Sequence, residues 1–577
     1  MKFGKLDLNP AVNPAVLDTA TWDAGTAWHF LRAIKYDWLA MRQAVLDQRD
    51  LPANRQCWLY RGSAAVKEKN VFILAGLADG RQLFVEIGQR DSSRPLGKSL
   101  GEKELAGAQS LIAYPADAAR IDRFCRLICP LKGPRRLGTV PRLGIGTRMT
   151  TAVWPGIFKA MDNLGFAANT IQNSVRELNL LGNLIEGRPA EKNYACGFGS
   201  IESGYTGSTW EGLWVSGALA ALQHERPLRC GADADHIQVK RGPEGTARAK
   251  RLISAARYYS FYTLDMADVL DYRALGENSV SRAEAYLSAK IPVTHDRHAI
   301  IKYHREPFRL GRKSYRLDTA SVGRFVGKYW DCLELLRNLT DYIASLKTNR
   351  EFDLELTIDE HPPEINAFDC LTSDGEALFL LREFQRREIP VTHLAPNFGV
   401  EKGVDYRCPD GLGGLETRIR SQCQIARNFG VMLDFHSGDD LTSAPRRIIK
   451  RATKGWHHFK ISPMLQIIYA SVLQEWHPDL FMRWWNDAFA YARREAEHGS
   501  AFAAHCLKNS QTGKNQRPNW KDPVFHQFSF AFPGRRDAKG QFIHRHEFYS
   551  LAPGFYRAYQ ERIGGYLSEL ARELFHS

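Results

Sequence analysis

The segment Phe352-Asp-Leu-Glu-Leu-Thr-Ile-Asp-Glu360 alternates between apolar and polar residues. A period of two marks a β-strand, with Leu354, Leu356 and Ile358 on one face and Glu355, Thr357 and Asp359 on the other. Short apolar runs of comparable length recur at 142–147, 167–172, 228–236, 258–265, 391–395, 431–436 and 457–462, which with 352–359 makes eight. Amphipathic helices fit between several of them, as at 209–223 and 415–428. Strands alternating with helices build a parallel sheet, and eight repeats predict an α/β fold of the closed (β/α)8, TIM-type class. An open doubly wound sheet is the alternative topology. No G-x-G-x-x-G follows any of the runs and no P-loop is present, which argues against a dinucleotide or nucleotide site.

The chain has 577 residues, too many for one ordinary domain, although a barrel with insertions absorbs roughly 250 to 400. Hydrophobic residues at 44% and charged residues at 25% exclude wholesale disorder. There is no apolar run long enough for a membrane span and no apolar segment at the start resembling a secretory signal, so a cytoplasmic location is expected. The ten cysteines contain no C-x-x-C pair and read as reduced thiols. The net charge of +14 comes from 78 Lys and Arg against 64 Asp and Glu. These cations fall in short groups, such as Lys132, Arg135 and Arg136, or Arg446, Arg447, Lys450 and Arg451, without a basic arm, zinc finger or RNA-binding aromatic signature. The balance argues against nucleic acid and equally suits an anionic small-molecule substrate or no electrostatic role.

Outward from the barrel, residues 1–135 read as an N-terminal mixed α/β unit, expected to act as a lid or assembly surface. Its β-rich runs 71–77 and 82–87 are joined by Ala-Asp-Gly-Arg, a hairpin signal, and 21–47 shows helical spacing. The prolines and glycines of 130–141 suit a linker. The barrel is assigned to 140–500, with long helical insertions between Asp265 and Phe352 that carry a basic stretch over 302–316. A C-terminal extension over 501–577, with a polar loop rich in Asn, Lys and Gln and a closing helix at Pro553–Phe575, is expected to pack on the barrel.

Chemistry in such barrels lies at the C-terminal ends of the strands. If the apolar face of 352–359 meets the helices, Asp359 points into the mouth as a catalytic acid or base; capping the next helix is its structural alternative, and Glu360 its neighbour in reserve. The run Val431-Met-Leu-Asp-Phe-His436 puts Asp434 and His436 on one side, and Trp456-His-His458-Phe-Lys460 does so for His458 and Lys460. A third run ends in Asp233-Ala-Asp235-His236. Imidazoles His236, His436 and His458 at three strand ends, with carboxylates beside them, form the pattern of a divalent metal site. His393 and His457 are alternatives. Glu177, just past the second run, is a candidate general base or a first-turn helix charge. Gln172, Arg176 and Lys460, with Lys240 as a further cation, are candidates to bind the substrate.

Together these residues resemble the tagaturonate/fructuronate epimerase family. The segments that carry the resemblance are Arg142-Leu-Gly-Ile-Gly146, Gln172-Asn-Ser-Val-Arg-Glu177, Gly231-Ala-Asp-Ala-Asp-His236, Thr263-Leu-Asp265, Thr357-Ile-Asp-Glu360, Leu394-Ala-Pro-Asn-Phe398, Glu401-Lys-Gly-Val-Asp-Tyr406, His436-Ser-Gly438 and His458-Phe-Lys460, in order from about residue 140 onward. The resemblance implies an isomerase of hexuronate catabolism that uses a divalent metal (Zn, Mn, Co or Ni) to interconvert D-tagaturonate and D-fructuronate. It also implies an acid/base pair at Glu177 and Asp359 and ligands at His236, His436 and His458. The chain departs from the family pattern around the expected pocket. Asn173 stands where a second Gln is expected, Asp439-Asp440-Leu441 follows His-Ser-Gly where a Lys is usual, and Ile461-Ser-Pro-Met464 replaces a small-residue loop. Other readings of the same residues are a different metal-dependent sugar isomerase or aldolase on this barrel, or a carbohydrate-binding protein without catalysis.

Overall fold

In the computed structural model the eight runs form the eight parallel strands of one closed barrel in chain order: β1 (Arg142–Ile145), β2 (Ala167–Ser174), β3 (Cys230–Gln238), β4 (Phe261–Asp265), β5 (Asp353–Thr357), β6 (His393–Ala395), β7 (Met432–Phe435) and β8 (His458–Ile461). The ring closes where β8 pairs with β1, His458 opposite Arg142 and Lys460 opposite Gly144. The structure describes all residues except 20–23, 79, 90–92, 196–197, 277–278, 349, 362–364, 511–517 and 577. Cys196, the start of the 21–47 helical stretch and most of the polar loop beyond Ser510 thus lie outside the described residues. The nine cysteines described are free, and seven are buried.

The alternation in β5 has the expected result. Leu354 and Leu356 are fully buried in the layer between strands and helices, while Glu355 and Thr357 face the barrel axis. The axis itself departs from the usual filling of bulky aliphatic side chains. Low in the barrel, Arg142 Nη1 bonds Asp353 Oδ2 at 3.1 Å and Arg142 Nη2 lies 3.3 Å from His393 Nε2. Above them sit Asp233, Thr263, Glu355, Asp434 and Lys460, all buried. Such an interior is tolerated only when its charges are paired and hydrogen-bonded.

Residues 58–115 form a five-stranded antiparallel sheet built around the expected hairpin, here Asn70–Gly76 with Gln82–Gln89. Its two faces are both covered. Ile73, Val85 and Leu111 pack on Trp28, Leu31, Trp38 and Met41, while Phe72, Leu74, Phe84 and Tyr114 join the main core with Ile121 and Phe124. The stretch 21–47 is two helices, Ala24–Ala33 and Trp38–Leu46, the second capped by the Asp37 carboxylate, which accepts from Ala40 N. The linker is pinned to the barrel, with Arg135 N donating to Cys230 O at 3.0 Å and Lys132 Nζ to His224 O at 2.7 Å.

The insertion between β4 and β5 folds as helices Val280–Lys290, Thr294–Arg305 and Thr319–Lys347 with a small hairpin. At the other end of the chain, helix Pro553–Phe575 lies against the first barrel helix, Thr150–Leu164, closely enough that a Cβ on Gly156 would stand 2.6 Å from Gln560 O. Helix Trp210–Gln223, between β2 and β3, starts at Thr209, whose hydroxyl accepts from Gly212 N. In its first turn Glu211 accepts from Leu181 N at 3.3 Å, and burial pushes its carboxyl up to about 7.

That shift has a definite sign. The folded chain holds the Glu211 proton more tightly than the unfolded chain does, so stability from this group is complete below about pH 4.5 and is lost as pH rises through about 7. Glu211→Gln keeps the acceptor for Leu181 N and removes the charge. The variant is expected to unfold at a higher temperature than wild type at pH 8, by up to about 3 kcal/mol of stability, and to match it at pH 4. Equal midpoints at pH 8 would show that burial does not penalise the Glu211 charge.

Candidate active site

Three strand ends meet at the C-terminal mouth of the barrel. From β5, Asp359 accepts a hydrogen bond from the Thr357 hydroxyl through Oδ1. From β7, His436 places Nδ1 at 3.0 Å from Asp359 Oδ2 and Nε2 at 2.8 Å from Glu355 Oε1. From β3 comes His236, although strict alternation would turn it away from Asp235. An irregularity in the β3–β4 register between Ala234 and Ile237, with His236 in the left-handed region at φ 44°, brings both consecutive side chains inward. Ser437, beside His436, is also left-handed, at φ 53°. Backbone strain of this kind concentrates at functional sites.

The result is a compact group in which ligand atoms of His236, Asp359 and His436 lie within 4.8 Å of one another. The two imidazole centroids are 4.6 Å apart. His236 Nδ1 is engaged by Asp235 Oδ1 at 2.8 Å, which leaves Nε2, 3.9 Å from Glu360 Oε1, without a hydrogen bond. His436 Nδ1 is likewise buried and is not aligned for a hydrogen bond to Asp359 despite their proximity. Burial disfavours the charged form of His436, but the carboxylates of Asp359 and Glu355 outweigh it and hold the imidazole well above its usual value. The same pair reads in reverse at Asp359, where His436 outweighs burial and lowers the carboxyl.

His458 is not in this group. The β7–β8 register sets Asp434 opposite His458, so the level of His436 on β8 belongs to Lys460. His458 lies deeper, with Nδ1 2.6 Å from Asp434 Oδ2, in a second cluster with Glu355. There burial, Lys460 and Arg142 keep it well below the usual histidine value, hence neutral. The register thus does not bring the three histidines together: His236 and His436 meet Asp359, and His458 meets Asp434 and Glu355. Of the two alternatives, His393 faces inward near the bottom beside Arg142, and His457 packs on Phe575 with its Nδ1 on the Thr453 hydroxyl.

Lys460 also differs from its expected role. Its ammonium donates to Asp235 Oδ1 at 3.0 Å, Thr263 Oγ1 at 2.7 Å and Glu355 Oε2 at 2.7 Å, with Asp233 Oδ2 at 3.1 Å. An ammonium has three donors, and all are used beneath the mouth, so none remains for a substrate carboxylate. Gln172 is buried close by, with Oε1 lacking a partner. Arg176 reaches the mouth but bonds Glu360 Oε2 at 2.9 Å, and Lys402 contacts the other oxygen of the same carboxylate. Glu177 sits in a separate group. Its Oε2 accepts from Ser174 N at 2.7 Å, and its Oε1 from Arg148 Nε at 3.0 Å, Tyr205 at 3.2 Å and Ser462 at 3.3 Å. Sequence reasoning missed Arg148 and Tyr205, which lie in loops with no motif of their own. Asp235 and Glu355 carried a visible signal, since each shares its strand with an expected site residue.

With the geometry in view, comparison with known proteins is decisive for the family. The sequence model of the UxaE tagaturonate epimerase family matches residues 60–500. The chain belongs to the tagaturonate epimerase family. A tagaturonate/fructuronate epimerase of Thermotoga maritima is 25% identical over 431 residues, covering 73% of this chain and 77% of that protein. Solved structures of the fructuronate-tagaturonate epimerase of Cohnella laeviribosi share the fold. The native form has a TM-score of 0.64 at 20% identity, over 90% of this chain and 97% of that one. A form with two glycerols gives 0.63 at 19%, over 93% and 99%. The chain is accordingly an epimerase-type isomerase. The match begins well before the motif-bearing stretch, so the N-terminal sheet belongs in large part to the family's architecture.

Gly144, in the first motif of the resemblance, leaves the space this site occupies. A Cβ there would stand 2.3 Å from Gln172 Oε1, 2.8 Å from Lys460 Cγ and 2.9 Å from His458 Nε2. Gly144→Ala is expected to cost about 1–3 kcal/mol, read as a lowered thermal midpoint, because none of these side chains has room to retreat. An unchanged midpoint would show that the interior is loosely packed.

Proposed function

We propose that this chain interconverts D-tagaturonate and D-fructuronate with a divalent metal held by His236, His436 and Asp359. The observation that carries the reading is the convergence of two buried imidazole nitrogens and one carboxylate at the C-terminal mouth of the barrel. Two imidazoles and a carboxylate on rigid strand ends fit Zn, Mn, Co or Ni. Such an ion would supply a Lewis acid for the sugar ketone.

The two ketouronates differ at the carbon β to the ketone, so enolisation alone does not invert that centre. Breaking the bond between the α and β carbons does. The proton of the β-hydroxyl passes to a base, the electron pair of the broken bond moves toward the ketone oxygen, and an aldehyde is left. After the aldehyde turns, the bond re-forms on its other face and a proton is returned to the new hydroxyl. The chain offers carboxylates from two directions for these transfers, because β2 and β5 are three strands apart around the ring. In this reading Glu177, oriented by Arg148 and the Ser174 amide, serves one face. With Asp359 engaged as a ligand, its neighbour Glu360, set by Arg176 and Lys402, serves the other.

One observation favours a second substrate class. Arg176 and Lys402 at the mouth are already paired with Glu360, Arg148 is paired with Glu177, and the stretch Asp439-Asp440-Leu441, where the family pattern has a Lys, carries no cation. A neutral ketose would not need to compete for those cations.

The deciding experiment follows both ketouronates and neutral ketoses by NMR, with and without chelator. Metal-dependent exchange between D-tagaturonate and D-fructuronate is the expected result, and exchange of neutral ketoses alone would transfer the reading to them. Glu177→Gln and Glu360→Gln are each expected to lower kcat by about 10²-fold or more with metal content intact. Near-wild-type turnover in either removes that residue from the proton transfers. Asp359→Asn should deplete the metal, and full occupancy would place the ion elsewhere.

A further inference from the structure

The two imidazoles at the mouth offer it different nitrogens. His236 presents Nε2 and His436 presents Nδ1. A neutral imidazole has a lone pair on one nitrogen only when the other carries the proton, and the proton stays where an acceptor faces it. For His236 that acceptor is Asp235, 2.8 Å from Nδ1; for His436 it is Glu355, 2.8 Å from Nε2. The two carboxylates come from β3 and β5, yet they share one cation. Lys460 Nζ lies 3.0 Å from Asp235 Oδ1, the same oxygen that meets His236, and 2.7 Å from Glu355 Oε2, whose other oxygen meets His436.

We propose that Asp235, Glu355 and Lys460 form one positioning unit, which keeps a proton on Nδ1 of His236 and on Nε2 of His436, so that His236 Nε2 and His436 Nδ1 are the nitrogens left to meet an ion beside Asp359. This rests on the metal reading above. It assigns Lys460 to the support of the site and away from the substrate. The ammonium has no freedom to do otherwise, since its stem runs past Gly144 and its three donors end on Asp235, Thr263 and Glu355.

The test uses Co²⁺ as the probe, bound to the full-length protein. In Co²⁺-loaded wild type, two hyperfine-shifted N–H resonances are expected that vanish in D₂O, one from each imidazole. Glu355→Ala should abolish or broaden the His436 resonance, leave that of His236, and weaken Co²⁺ binding about 10–100-fold in competition with a chelator. Glu355→Gln, which keeps an acceptor oxygen, should restore the resonance and most of the affinity. Asp235→Ala, nearer the mouth, should do the same to His236 and serves if Glu355→Ala does not fold. Lys460→Met should disturb both resonances together while KM at saturating metal stays within about twofold. Its Co²⁺ affinity is not the readout, because removing a buried positive charge by itself favours a cation. Both resonances and full affinity persisting in Glu355→Ala or Asp235→Ala would overturn the inference, as would a raised KM with undisturbed resonances in Lys460→Met. Wild-type protein that takes up no Co²⁺ would end the metal reading as well, so the two failures are distinct.

Discussion

The Lys460 ammonium stands among carboxylates from four other residues, Asp233, Asp235, Glu355 and Asp434, buried inside the barrel. Removing a charge from water is costly, and only near-ideal geometry makes it tolerable. Much of the surrounding structure follows from that constraint. Gly144 has no side chain because the lysine stem passes there, and Thr263 keeps its hydroxyl inward because the third donor needs an acceptor. The carboxylates in turn face side chains other than the lysine. Burial holds Asp233 above the usual carboxylate range, whereas Lys460 and His236 outweigh burial at Asp235 and hold it well below. An apolar interior would be more stable, but it would leave the imidazoles above it without orientation.

Much of the fold is legible in the sequence because its signals are local. Alternation within β5, apolar runs of strand length and helical periods between them are each contained in a few neighbouring residues, and all eight strands fall where those signals lie. The site is less legible because its decisive quantities are not local. Depth in the barrel depends on register between strands, which is why His458 looks equivalent to His436 in sequence and lies a tier deeper in space. The inward turn of His236 depends on a positive φ at a β-branch-free, non-glycine residue, for which the sequence carries no marker. Arg148 has its meaning only through Glu177 and Ser462, residues from two other strand ends.

The resemblance and the geometry contribute different things. Family membership establishes the reaction type, and the geometry distributes work among residues. Where the chain departs from the family pattern, the structure shows what the new residues do. Asn173 accepts from both the amide and the hydroxyl of Thr147 through Oδ1, tying the ends of β1 and β2 together. Asp439 accepts from the amides of Ser462 and Met464 and so anchors the start of the helix after β8. These departures carry structural bonds at the rim.

The packing of helix Pro553–Phe575 on helix Thr150–Leu164 also bears on how the molecule is made. The earlier helix, with Gly156 at the crossing, emerges from the ribosome long before the later helix that packs on it at Gln560 and Ile563. At about 5–20 residues per second the delay is tens of seconds, during which the nascent barrel keeps an open seam. The barrel is therefore closed on that side only once the last helix has been made.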